Sequence, residues 1–411
     1  MKKDKLKEYL QNTLRLLAIW TIRRYQPGVI AITGTVGKTS TRQAIYTVLK
    51  KYRRVRATSG NFNNEIGLPL TILGDYTEIG GKYFWVKVIL VSLFKLIFKM
   101  KYPELLILEY AADKPGDMKY LLDIVRPQIS VITAVGDIPV HVEFYSGPEA
   151  VAREKSKIVE VLPVTGFAVL NRDDGAVLEM KDRTRGHIMT FGFSGDSQVV
   201  ISNFEVKTEN KIPAGITFKL SYGGSFVPIF LSGCFGKAQA YAAAAAACIG
   251  VIFGLNLVKI SEALSEYEIV VGRGKIIPGV KNTYILDDSY NASPLSMQAA
   301  IETASGLEIS RKIAILGDML EIGQYAPEAH EKIGRMVPGV FDILVTVGDR
   351  AKFIASAAMA NGMAKKNIHI FDTADEAKLK VQKLMKKGDL ILVKASHSIG
   401  LNKVIEEIKK V

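Results

Sequence analysis

The 411-residue sequence predicts an α/β protein built from two units: a central P-loop NTPase-like domain with a mixed sheet, and a C-terminal Rossmann-like, doubly wound domain. Three observations predict this. Residues 30–41, IAITGTVGKTST, read as a β-branched strand, a glycine turn and the opening of a helix. Residues 163–235 alternate short strands with Gly/Asp/Asn turns, the pattern that finishes a mixed sheet. Residues 283–411 alternate strands with helices, the pattern of a parallel sheet. The predicted divisions are 1–27 for a basic amphipathic helix, 28–268 for the central domain with an amphipathic insertion at 79–102, and 269–411 for the C-terminal domain.

Bulk properties narrow the class. Hydrophobic residues make up 48% and charged residues 23%, so each unit can bury a core. Two cysteines, Cys234 and Cys248, exclude a four-thiolate zinc site and suggest no disulfide framework, which makes a reducing, cytoplasmic setting the expectation. A net charge of +13 suits a polyanionic partner, whether nucleotide, anionic membrane surface or nucleic acid.

Taken in order, residues 3–25 form a helix with Leu6, Leu10, Leu14 and Leu17 at three- and four-residue spacing among Lys and Arg. It is too charged to span a membrane; it suits packing on the next domain or lying on a membrane surface. The phosphate loop follows. A general P-loop would place its first glycine at Ile32; what stands instead is the shorter Gly34-Thr35-x-Gly37-Lys38-Thr39-Ser40. Backbone N–H groups and the positive end of the helix dipole converge there on a phosphate, Lys38 adds a point charge, and the Thr39 hydroxyl suits Mg²⁺. The helix is expected over 40–52 and a strand over 54–57. The Asn- and Gly-dense run after it contains Asn64 and Glu65, candidates for substrate contact; such residues also cap helices.

Residues 83–100, YFWVKVILVSLFKLIFKM, place Lys87, Ser92, Lys95 and Lys99 within an arc of about 140° on a helical wheel, with aromatic and aliphatic residues around the rest. A lysine-lined helix with a broad apolar face suits a membrane interface; a buried helix with one wet edge has the same pattern. Strand 105–108 ends in Glu109, the usual position of a Mg²⁺ ligand beside a phosphate loop. After strand 129–133, His141 sits in a loop and Lys155 lies fourteen residues on, in a helix. An alanine-rich helix, 238–251, closes this part, and the charged, glycine-bearing stretch 266–274 is the expected boundary. Beyond it, strands 283–286, 312–316, 343–347 and 390–393 alternate with helices. Their C-terminal loops, where ligands bind, are 287–294, 317–323, 348–350 and 394–398.

In order, GTVGKTS, NFNNEIGLPLTIL, LEYAADKPGD, the His141/Lys155 pair, LDDSYNASPLSM and ILGDMLEIG resemble the Mur ligases, ATP-dependent amide-bond-forming enzymes of peptidoglycan precursor assembly. The resemblance covers residues 28–411, and NNEIG, DDSYNASP and GDMLE point to the branch that adds a D-alanyl-D-alanine dipeptide to a muramoyl-peptide carboxylate. It implies that Lys38 and the backbone around it hold the ATP phosphates, that Thr39 and Glu109 hold one Mg²⁺ and His141 a second, and that Lys155 is carbamylated. It further implies that Arg273 stands at the domain junction, that Asp288, Tyr290 and Asn291 close over ATP, and that Lys394 and Ser396 stand near the incoming amine. The implied chemistry activates a carboxylate as an acyl phosphate, which an amine then attacks. The implied partners are small peptide substrates and no nucleic acid, and the implied state is a monomer.

Three departures qualify the resemblance. The family's bacterial members carry a UDP-binding domain before the phosphate loop, and here about thirty residues precede it, so that domain is expected to be lacking. GKAQ (236–239) has Ala238 where the family has histidine, and Tyr110-Ala111-Ala112 replaces a more glycine-rich turn. With the two interfacial helix candidates, 3–25 and 83–100, this predicts an enzyme working peripherally at the inner membrane face. Two alternatives stand beside it: another Mur-like ligase without a UDP domain, amidating a lipid-linked precursor or glutamylating folate, and a non-catalytic ATP-binding protein.

Overall fold

The computed structural model describes residues 2–209 and 212–410. The first sheet has nine strands: β1 (Gly28–Thr33), β2 (Val55–Ala57), β3 (Leu105–Glu109), β4 (Ile129–Ile132), β5 (Phe167–Asn171), β6 (His187–Gly192), β7 (Val199–Glu209), β8 (Ile212–Tyr222) and β9 (Ser225–Ser232). Their spatial order is β2-β3-β1-β4-β5-β6-β7-β8-β9, parallel through β6–β7 and antiparallel from β7 to β9. The expected mixed sheet is therefore present, although β7 and β8 run to 11 residues each and are not short. β1 lies between β3 and β4, so the strand order reverses there. In an open α/β sheet such a switch point opens a crevice at the strand C-termini.

The second sheet runs β10 (Lys275–Gly279), β11 (Thr283–Asp287), β15 (Leu390–Lys394), β12 (Lys312–Gly317), β13 (Ile343–Val347) and β14 (Ile368–Phe371). It is parallel except for β10, an antiparallel edge strand that the alternation pattern does not predict. Pro278 in β10 suits an edge, where a missing N–H breaks no inner ladder. β14 and the helix after it, Ala374–Leu384, are also absent from the sequence prediction.

Most helices sit near their expected places. The phosphate-loop helix is Lys38–Leu49, and the alanine-rich helix Lys237–Ile252 packs against it, its small side chains allowing close approach. The N-terminal helix, Lys2–Tyr25, buries Leu14 and Leu17 with Leu70, Leu73 and Val88; the Leu6 side chain lies outside the described ones. The insertion helix, Lys82–Ile97, turns Ser92 and Lys95 of its polar arc inward and leaves much of its apolar side exposed, unlike a buried helix with one wet edge. Ser92 is buried, its hydroxyl donating to Val88 O at 2.6 Å, and Lys95 turns inward to donate to Leu73 O at 3.2 Å. Lys95 faces the protein because a carbonyl meets its ammonium there, a partner that no wheel displays.

Candidate active site

The phosphate loop leaves β1 at its C-terminal end, where two glycines take conformations that a side chain resists. Gly37 has φ 90° and caps the loop helix; Gly34 has φ 144°, and a Cβ there would stand 2.1 Å from Thr133 Oγ1. Thr133, just past β4, pins the loop by donating to Val36 O at 2.6 Å and Thr33 O at 3.2 Å. Thr35 N–H donates to Ala134 O at 2.6 Å. Lys38 folds back over the loop, its ammonium donating to Gly34 O at 2.6 Å. Burial lowers its pKa, and Arg273 adds to that, while Glu109 and Asp113 oppose.

Glu109, the last residue of β3, is 1% exposed. Thr39 Oγ1 donates to its Oε2 over a long 3.4 Å, and Arg42 Nε lies 3.3 Å from its Oε1 without the alignment of a hydrogen bond. A buried carboxylate oxygen with no hydrogen-bond partner, beside a threonine hydroxyl and at the rim of a phosphate loop, fits a hard, oxygen-seeking cation such as Mg²⁺. Arg42 is held in turn by the Thr58 carbonyl.

His141 adopts φ 71° at the start of a short turn, Val142–Phe144. Its Nε2 lies 3.1 Å from Asp113 and its Nδ1 2.8 Å from Glu321, which reaches over from the 317–323 loop of the second sheet. Desolvation pushes the ring down to about 4, with Asp113 opposing and Lys155 and Lys38 assisting. Lys155, on the helix Pro148–Glu160, is 2% exposed. Burial, reinforced by the charge of Lys38, pushes its ammonium down to about 7, against Asp113 and Glu154. Part of it is therefore free amine at neutral pH, the form that adds CO₂. No cluster of three or more His, Cys, Asp or Glu with metal-ligand geometry occurs among the described residues.

The second sheet contributes the opposite wall. Arg273 stacks on the Tyr290 ring at 3.9 Å and reaches Thr39 Oγ1 at 3.5 Å, while Tyr290 donates to Asn61 of the first sheet's loop. Gln239 fixes Arg273 by donating to its carbonyl at 2.8 Å and accepting from Tyr267 at 2.8 Å. Lys394 donates to Asp288 Oδ2 at 2.6 Å and to Asn291 O at 3.0 Å. Burial works against charge on both partners, raising Asp288 and lowering Lys394.

These groups line one cleft of about 210 Å³, which brings together Thr35, Gly37, Lys38, Thr39, Ser40, Glu109, His141, Lys155, Arg273, Asp288, Tyr290, Asn291 and Lys394. Four of the expected residues, Gly34, Asn64, Glu65 and Ser396, do not line it; Gly34 meets Lys38 through its carbonyl instead. Asn64 Oδ1 accepts from Ile66 and Gly67 N–H as a helix cap, and Glu65 accepts from Gln11 at 3.1 Å. Ser396 Oγ accepts from Leu320 N–H at 2.9 Å, holding the 317–323 loop. Asn61 and Asn63 line the cleft in their stead, and Ala111 N–H ties that turn to the end of β3 by donating to Asn63 O at 3.0 Å. Arg42, Asp113 and Glu321 escape sequence reading because their roles come from neighbours distant in the chain. A second cavity of about 750 Å³ shares Val36 and Gly37 and runs between the first sheet's Asn171 and Asp173, Tyr241 and Leu295.

Two family models match the chain: the Mur ligase middle domain over residues 32–81 and 89–250, and the Mur ligase glutamate ligase domain over 272–397. The chain belongs to the Mur ligase family. The middle-domain match breaks at 82–88, where the insertion helix opens. As a Mur ligase it is an ATP-dependent ligase. Over 401 residues it is 28% identical to the UDP-N-acetylmuramoyl-tripeptide–D-alanyl-D-alanine ligase of Bacillus subtilis, covering 97% of this chain and 79% of that one. The enzyme of the same name from Buchnera aphidicola is 31% identical over 409 residues, covering 98% and 80%. Among solved structures, the MurF ligase of Thermotoga maritima in complex with ADP superposes with a TM-score of 0.79 at 27% identity, covering 97% of this chain and 83% of that one.

Proposed function

We propose that this Mur ligase joins a D-alanyl-D-alanine-like dipeptide to the free carboxylate of a muramoyl-peptide precursor, driven by ATP through an acyl phosphate. The observation that carries the reading is the convergence of Lys38, Glu109, His141 and Lys155 with Arg273, Asp288 and Lys394 on one cleft. Residues 28–268 act as the ATP-binding domain and 269–411 as the closing domain. The nucleoside half of ATP occupies the larger cavity beyond Gly37.

The chemistry follows from the charges. The acceptor carboxylate oxygen attacks the γ-phosphorus and ADP leaves, a step that crowds negative charge. Lys38 exchanges Gly34 O for phosphate oxygens, and Arg273 reaches the same region from the other domain. Thr39 and Glu109 would hold one Mg²⁺, and His141 with Lys155, if carbamylated, a second; the ions would supply neutralisation of the phosphate charge. The amine of the dipeptide then attacks the acyl carbon, its proton is released and inorganic phosphate leaves. Tyr290 on Asn61 and Glu321 on His141 close the two halves against water. The enzyme acts as a monomer on the cytoplasmic side, peripherally at the inner face of the membrane.

The test is phosphate release from ATP over a panel of acceptor peptides and amines that includes D-alanyl-D-alanine and L-glutamate. Dependence on D-alanyl-D-alanine, lost in Lys38→Ala and Lys155→Ala, is expected. Release without dipeptide dependence removes the substrate assignment, and unchanged turnover in both variants removes the mechanism.

A further inference from the structure

The insertion helix lays its apolar side outward. Tyr83, Val86, Leu90, Leu93, Phe94 and Ile97 fall within about 120° of the helix circumference, and all are exposed, Tyr83 at 92%, Leu90 at 61% and Ile97 at 68%. Phe98 and Met100 continue the surface at 56% and 50%. The opposite side is what holds the helix down: Val88 and Ser92 are buried, Lys95 caps Leu73 O, and the Lys95 carbonyl accepts from Tyr25 at 2.7 Å. A contiguous apolar stripe of this size on water calls for a partner.

We infer that this stripe is a docking surface for an anionic lipid bilayer, with the helix lying in the interface plane. Charge selects the occupant. From Ile79 to Pro103 there are five lysines and no carboxylate. Lys82, Lys87, Lys99 and Lys101 are exposed around the stripe, and the Tyr25–Lys95 and Tyr25–Met100 contacts bring exposed Arg23 and Arg24 beside its end. Pairing with a second copy would oppose two lysine rims with no acid between them. An anionic headgroup layer neutralises the rim while the acyl boundary takes Leu90, Phe94 and Ile97. At 16 residues the helix is about 24 Å long. Among the described residues no helix is long and apolar enough to cross a membrane. The inference is independent of the ligase reading, since it concerns a face away from the cleft.

The test is flotation of the full chain with phosphatidylcholine vesicles, with and without phosphatidylglycerol. Co-flotation with the anionic vesicles is expected, falling at least about tenfold in Leu90→Ser/Phe94→Ser/Ile97→Ser, and falling between ~0.1 M and ~0.5 M salt as the Debye length shrinks. Lys82→Glu/Lys99→Glu, which leaves the apolar stripe whole, is expected to lose about fivefold per lysine on anionic vesicles. Equal melting temperatures and phosphate release in solution establish that the variants fold. Absence of wild-type flotation, or equal flotation of the wild type and the serine variant, overturns the inference. So does a wild-type dimer in size exclusion that the serine variant dissolves and vesicles leave intact, which assigns the face to a second copy.

Discussion

Lys394→Met breaks a buried pair that ties adjacent strand ends of the second sheet together at the cleft. Lys394 closes β15 and Asp288 follows β11, strands that run parallel side by side. The ammonium is 2% exposed and donates to three oxygens: Asp288 Oδ2 at 2.6 Å, Asn291 O at 3.0 Å and Asp288 O at 3.3 Å. Removing one partner of a buried pair leaves the other charge uncompensated, at a cost of about 3–5 kcal/mol. Asp288 escapes part of that by taking a proton, because burial already pushes its carboxyl upward. The low end, about 3 kcal/mol, is therefore expected, a large share of the ~5–15 kcal/mol that holds a domain folded. Asp288→Asn/Lys394→Met replaces both charges and should recover at least about 1 kcal/mol. Both tryptophans, Trp20 and Trp85, lie in the N-terminal quarter of the chain, so fluorescence would miss this event. Urea unfolding followed by far-UV circular dichroism, with hydrogen exchange at β11 and β15, reads it directly. A loss under about 1 kcal/mol, or a double variant as unstable as the single one, would refute the argument.

Three further outcomes follow from the geometry. Gly34→Ala forces a Cβ to within 2.1 Å of Thr133 Oγ1 at φ 144°, so a loss of about 2 kcal/mol or more in stability and at least tenfold in ATP affinity is expected by calorimetry; unchanged binding would show that the loop is less constrained. Arg273→Lys keeps the charge and loses the stack on Tyr290 and the planar fork, which should weaken a fluorescent ADP analogue by about tenfold; equal affinity would mean the stack is idle. His330 is buried, accepting from Met319 N–H at 2.9 Å, and desolvation outweighs its contact with Ala326 to lower its pKa. The unfolded chain then binds the extra proton, so stability is full above the ordinary histidine value of about 6.5 and declines as pH falls below it toward the folded value. His330→Gln should flatten that decline in thermal melts between those limits, and an identical slope would remove His330 from the account.

Much of this site is written locally, and that part was readable in the sequence. A glycine turn between a β-branched strand and a Lys-Thr-Ser helix start needs only its own residues to make an anion cradle, so Gly34 to Ser40 stand where expected. Glu109 was readable for the same reason, being the last residue of an apolar strand. The misplaced groups depend on what lies across from them. Asn64 and Asn63 look alike in a row of polar residues, and only the docking of Ala111 on Asn63 O decides which one faces the cleft. Ser396 looks like a substrate contact until Leu320 N–H claims its hydroxyl. The insertion helix makes the point in another way. Its wheel displays two faces, but the inward one is chosen by Leu73 O and Tyr25, which lie outside the segment. Strand β14 has only four residues, IHIF, none fully buried, too little for a period to register.

The grip of Lys38 on Gly34 O gives the loop a threshold before any ligand arrives. A lysine already satisfied by a carbonyl at 2.6 Å is released only to something that attracts an ammonium more strongly. A charged phosphate oxygen does so, and a neutral hydroxyl or amide does not. The resting loop therefore sorts arrivals by their charge, favouring a triphosphate tail over a bare nucleoside whatever the quality of fit around the base.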